Sequence, residues 1–160
     1  MAEQKTNVMR ILEQKKIPYT AHSYPHTEGE AVDGVTVAAL LGQNPGQVFK
    51  TLVTRGAKGG YFVFVIPVAA ALDLKKAAKA AGEKSVEMLA VKDLLPLTGY
   101  VRGGCSPIGM KKAFPTFFDE TALSWETVMV SAGKIGWQIQ TAPANLLQLT
   151  RGKTAALTVE

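Results

Sequence analysis

The stretch Gly103-Gly104-Cys105-Ser106-Pro107-Ile108-Gly109-Met110-Lys111-Lys112 constrains this chain more than any other. Three glycines and a proline within seven positions exclude the interior of a regular helix or strand. Glycine serves where the backbone takes a positive φ or where another group approaches it closely, and proline stiffens the segment. Arg102 precedes the loop, Lys111 and Lys112 end it, and residues 94–118 contain no acid. A stiff loop with free N–H groups beside fixed positive charge suits an anion or a polarised carbonyl. A structural turn between two strands would use the same residues.

Charge layout extends the first reading. The chain of 160 residues carries a net charge of +5, and nine of its thirteen acids fall in residues 3–33 and 73–93. Residues 34–72, 94–118 and 127–159 are acid-free and hold Lys50, Arg55, Lys58, Arg102, Lys111, Lys112, Lys134, Arg151 and Lys153. Convergence of these windows would form a basic face of the kind that contacts RNA transiently. Scattered solvated lysines are the plainer alternative. The length suits one domain over residues 1–160. No apolar run reaches a membrane span, residues 1–5 lack the apolar stretch of a signal peptide, and one cysteine forms no internal disulfide. The cytoplasm is the expected location, with no membrane partner.

Residues 6–16 place Val8, Ile11, Leu12 and Lys15 at helical spacing behind Thr6 as N-cap. Residues 19–24 favour an extended state, residues 35–41 a short helix ended by Gly42, and Asn44-Pro45 a further helix start. Residues 49–54 and 61–66 form a predicted hairpin around a glycine-rich turn. Helices are expected over 72–81 and 86–95, with strands over 100–102, 116–119, 127–131 and 137–141. A helix from Pro143 to residue 149 and an edge strand over 154–159 close the chain. The irregular alternation implies a mixed α/β (α+β) fold with a largely antiparallel sheet.

Several chemistries are excluded by spacing. His22, His26 and Cys105 lack zinc-ligand spacing, so no metal is expected. Ile108 stands where a nucleophile elbow requires glycine, and Leu147 where a P-loop ending at Gly152-Lys153-Thr154 requires its first glycine. Cys105 has no identifiable base. A lysine, a tyrosine, hydroxyls and backbone donors remain, a set suited to electrostatic polarisation of a carbonyl or phosphate.

The ordered pieces Val48-Phe49-Lys50-Thr51-Leu52-Val53, Leu72-Asp73-Leu74-Lys75-Lys76, Val86-Glu87-Met88 and Thr98-Gly99-Tyr100 lead into the loop from Gly103 to Gly109. Together they resemble the YbaK-type Cys-tRNA(Pro) deacylases, relatives of the editing domain of prolyl-tRNA synthetase. The resemblance is collinear from about Val8 to Gln148. It implies a compact domain with a barrel-like, largely antiparallel sheet flanked by helices. It also implies a trans-editing hydrolase that cleaves the ester of cysteine mischarged onto tRNA(Pro), without cofactor.

By that resemblance Lys50 and Gly103 are catalytic, and Tyr24, Gly104, Ser106, Ser131 and Gln138 bind substrate. Where the family usually has an aspartate, this chain has Gln138, which accepts a hydrogen bond but brings no charge. The implied mechanism is substrate-assisted, the cysteine thiol attacking its own ester. The implied partners are the tRNA(Pro) acceptor end and prolyl-tRNA synthetase. A deacylase for another charge such as Ala-tRNA(Pro), and a non-catalytic tRNA- or synthetase-binding module, are the alternatives. Amino-acid specificity, tRNA selectivity and oligomeric state are not read from the sequence.

Overall fold

The alternation of β-branched and aromatic residues around a glycine-rich turn builds the central hairpin. Strands β2 (Phe49–Gly56) and β3 (Tyr61–Pro67) pair antiparallel, with Phe49 opposite Pro67 and Lys50 opposite Ile66. The computed structural model describes residues 5–27 and 29–159. The reading of residues 1–4 as free of a signal peptide lies outside these.

In chain order the other elements are α1 (Asn7–Gln14), β1 (Thr20–Ser23) and α2 (Gly34–Leu40), then α3 (Leu74–Ala81), β4 (Val86–Met88), α4 (Val91–Thr98) and β5 (Thr116–Asp119). A 3-10 turn, β6 (Val128–Ser131), β7 (Trp137–Thr141), α5 (Pro143–Thr150) and β8 (Lys153–Ala155) follow. Two sheets result, β1-β7-β6 and β4-β2-β3-β5-β8. The smaller is antiparallel, whereas β5 runs parallel to both β3 and β8. A parallel bridge from Val48 to Met129 joins the sheets at one point. They do not close, so the expected barrel is corrected to two sheets meeting at a seam.

Both sheets sort their residues by pleat. In the large sheet, Phe49, Val53, Val63, Val65 and Phe118 face a core shared with Val8 and Leu12 of α1 and Val128, Val130 and Ile139 of the small sheet. Phe64, Ile66 and Phe117 face a second core under α3. With Val130 and Ile139 turned into the shared core, Ser131 and Gln138 fall on the opposite face of the small sheet.

Local chemistry fixes most boundaries. Thr6 caps α1 by accepting from the Met9 N–H, Asp73 caps α3, and Gly82 ends α3 with φ 71°. Three expectations need correction. Residues 86–95 are not one helix: Val86–Met88 pair with Thr54–Gly56 as edge strand β4, and α4 then runs through Pro96 to Thr98. Residues 100–102 form no strand: the chain turns at once into the glycine loop, the Gly104 N–H donating to Val101 O at 3.0 Å. Asn44 caps no helix. Its Oδ1 accepts from the Gly46 N–H at 2.8 Å, closing a turn before β2.

Candidate active site

β4 pairs with β2 only at Thr54–Gly56, so the edge of β2 ahead of that point carries no strand. A cleft of about 870 Å³ opens along it, and consecutive residues from Val48 to Val53 line one wall. An open sheet edge exposes both pleat faces and the backbone between them, which explains why the lining does not alternate. Tyr24, Asp33, Arg102, Gly103, Cys105, Ser131 and Gln138 complete the polar part of the lining. Two of the acid-free windows meet here through Lys50 and Arg102, and the third contributes Ser131 and Gln138.

The Lys50 ammonium forms no hydrogen bond or ion pair with another described residue. Partial burial alone pushes its ammonium below the ordinary lysine range. A half-buried, unpaired cation in a cleft is poised for an anionic or carbonyl ligand. Gly103 takes φ 85°, and a Cβ there would lie 2.8 Å from the Ala31 Cβ. Any side chain would be strained and would collide with the 31–33 segment.

Gln138 and Ser131 are direct cross-strand partners of β7 and β6. Ser131 Oγ accepts from the Gly133 N–H at 3.1 Å, leaving its hydroxyl proton to donate elsewhere. Tyr24 is buried, its N–H bonded to Gly136 O at 2.9 Å and its carbonyl to His26 Nδ1 at 3.1 Å. Among the described residues four buried side-chain atoms lack a hydrogen-bond partner, and three line this cleft: Tyr24 Oη, Thr51 Oγ1 and Gln138 Oε1. Buried polar atoms are nearly always satisfied, so three orphans in one cleft mark where a polar ligand would bind.

Two expected binding residues stand elsewhere. Gly104 is outside the lining and packs against the backbone of Lys134 and Ile135, and Ser106 is fully buried with Oγ accepting from the Ile108 N–H at 3.3 Å. Both build the loop rather than face the cleft. The Tyr100 hydroxyl donates to Ile108 O and braces the same loop. Burial pushes the Cys105 thiol up to about 12, so it stays protonated at neutral pH. His22 Nε2 lies 2.8 Å from Gln140 Oε1, within a side-chain chain on the small sheet that continues to Thr127. Sequence reasoning missed Thr51 and Asp33. The first is adjacent to Lys50, but only the unpaired edge of β2 explains its place in the cleft lining.

Residues 29–149 match the aminoacyl-tRNA editing domain family. The chain belongs to that family. It is also 52% identical over 158 residues to an Enterococcus faecalis protein named as a Cys-tRNA(Pro)/Cys-tRNA(Cys) deacylase, EbsC, covering 99% of this chain and 96% of that protein. A crystal structure described as a trans-editing enzyme for prolyl tRNA synthetase superposes with TM-score 0.83 at 25% identity, covering 99% of this chain and 100% of that one. The structure of a hypothetical protein gives TM-score 0.84 at 23% identity over 95% of this chain and 99% of that one, a likeness of fold. The editing-domain fold thus spans the two sheets and the cleft between them.

Proposed function

We propose that this aminoacyl-tRNA hydrolase removes cysteine from mischarged tRNA(Pro), acting in the cleft between Lys50 and the Gly103 loop. The observation that carries this reading is the meeting of an unpaired Lys50 with three orphaned polar atoms at Tyr24, Thr51 and Gln138. The 52% identical relative named as a Cys-tRNA(Pro)/Cys-tRNA(Cys) deacylase supports the choice of amino acid.

The residues suit a reaction that needs no protein nucleophile. The substrate's thiol sulfur attacks its own ester carbonyl carbon, forming a C–S bond and a tetrahedral oxyanion. Collapse breaks the bond from that carbon to the ribose oxygen, which takes the thiol's proton, and cysteine leaves as a cyclic thiolactone. Lys50 and the backbone at Gly103 stabilise the oxyanion or the neighbouring phosphate, and the cleft walls fix the attack geometry. The Tyr24 hydroxyl can donate to the ester, and Gln138 Oε1 can accept from the amino acid. Ser131 holds the wall beside Gln138.

Arg102 at the mouth contributes phosphate attraction, which positions RNA without reading its sequence. Association with prolyl-tRNA synthetase would supply selectivity for tRNA(Pro). The test is release of cysteine from Cys-tRNA(Pro) beside alanine from Ala-tRNA(Pro). The account predicts hydrolysis of the first alone, because alanine lacks the attacking thiol.

A further inference from the structure

The cleft described above carries three charged side chains among the described residues: Lys50, Arg102 and Asp33. An aminoacyl ester brings phosphates at its RNA end and an α-ammonium at its amino-acid end. The two cations match the first. Gln138 offers the second only a neutral oxygen.

Packing ties the residues flanking Asp33 to the two elements that carry Gly103 and Lys50. On its N-terminal side, Ala31 rests on Gly103, where a Cβ would lie 2.8 Å from the Ala31 Cβ. On its C-terminal side, Gly34 is pressed on Val68 so tightly that a Cβ would fall 2.4 Å from Val68 Cγ1. The Val68 N–H in turn donates to Val48 O at 2.9 Å, two residues ahead of Lys50. The segment is therefore pinned to the glycine loop at one end and to the start of β2 at the other. Asp33 caps α2, Oδ1 accepting from Thr36 Oγ1 at 2.6 Å and Oδ2 from the Thr36 N–H at 3.1 Å. A carboxylate accepts about four hydrogen bonds, so this exposed side chain keeps capacity for a further donor at the cleft it lines. The hydrogen bonds from the Thr36 side chain and backbone also hold the group below the usual carboxylate range.

We propose that Asp33 is the specificity-determining anion of this site, receiving the α-ammonium of the aminoacyl ester in place of a carboxylate at position 138. The proposal rests on the deacylase reading of the same cleft, and its test separates the two. Wild type and Asp33→Asn are assayed on Cys-tRNA(Pro) and on the 3-mercaptopropionyl ester of the same tRNA, which keeps thiol and ester but lacks the ammonium. Asparagine retains the cap of α2, and thermal unfolding checks that the fold is intact.

The expected result is a loss of about tenfold in kcat/KM on Cys-tRNA(Pro) with little change on the desamino ester, so that the wild-type preference collapses. A variant that slows both esters alike, or neither, overturns the role of Asp33. A wild-type protein that hydrolyses neither ester overturns the deacylase reading itself.

Discussion

Gly136 lies directly beneath the His26 ring, and a Cβ at Gly136 would fall 2.2 Å from His26 Cε1. Gly136 also has φ 98° and gives its carbonyl to the Tyr24 N–H. One glycine thus fixes both the histidine and the backbone that aims Tyr24 at the cleft. Gly136→Ala is expected to destabilise the fold by about 2–4 kcal/mol through strain and displacement of His26. Urea unfolding measures the first effect and kcat/KM the second, which should fall even where the variant remains folded.

The orphaned hydroxyls set function against stability. Tyr24→Phe and Thr51→Val each remove a buried group that has no hydrogen-bond partner among the described residues. Deleting an unsatisfied polar group costs nothing in hydrogen bonds, so neither variant should lose more than about 0.5 kcal/mol and either can gain about 1 kcal/mol. Deacylation should nevertheless slow by roughly tenfold or more if these atoms meet the substrate. Parallel losses of stability and activity would assign them a structural role.

Cys105 lines the cleft but is buried, with its thiol pushed up to about 12. Cys105→Ala should keep hydrolysis within about twofold while costing about 1 kcal/mol for the lost sulfur contacts. Loss of activity by several orders of magnitude in a folded Cys105→Ala protein would instead make it a nucleophile.

The pH profile follows from Lys50, whose ammonium burial lowers from its ordinary range. The charged form stabilises the oxyanion, so kcat/KM should fall as pH rises through the lowered folded-state value, earlier than for a solvated lysine. Stability moves the other way. Through the window between the folded and unfolded values the unfolded chain holds more protons, so folding is favoured as pH rises. Circular dichroism across the same range should therefore show no unfolding where activity is lost.

Local signals made much of the fold legible. The β2–β3 hairpin and the Thr6 cap depend on neighbours in sequence and stand where the pattern puts them. Val86-Glu87-Met88 is not legible as a strand because three residues carry no clear period, and pairing with the distant Thr54–Gly56 decides their state. That the sheets stay open is equally illegible, since their meeting at the Val48–Met129 seam rests on one long-range bridge. Lys50, Gly103, Tyr24, Ser131 and Gln138 all line one cleft. Gly104 and Ser106 share a loop with Gly103 yet turn inward, a distinction that only the packing of Ile135 and Ile108 reveals. Asp33 stands just before the helix expected over residues 35–41, and its place beside the site depends on Gly34 meeting Val68.

The most direct measurement is hydrolysis of Cys-tRNA(Pro) by the wild-type protein and by Lys50→Ala. The Lys50 ammonium has no partner among the described residues, so its removal leaves no buried group unpaired and should change stability by no more than about 0.5 kcal/mol. The account predicts rapid release of cysteine by the wild type and a loss of at least about 100-fold in the variant, equivalent to about 3 kcal/mol of transition-state stabilisation. Normal turnover by a folded Lys50→Ala protein would contradict it.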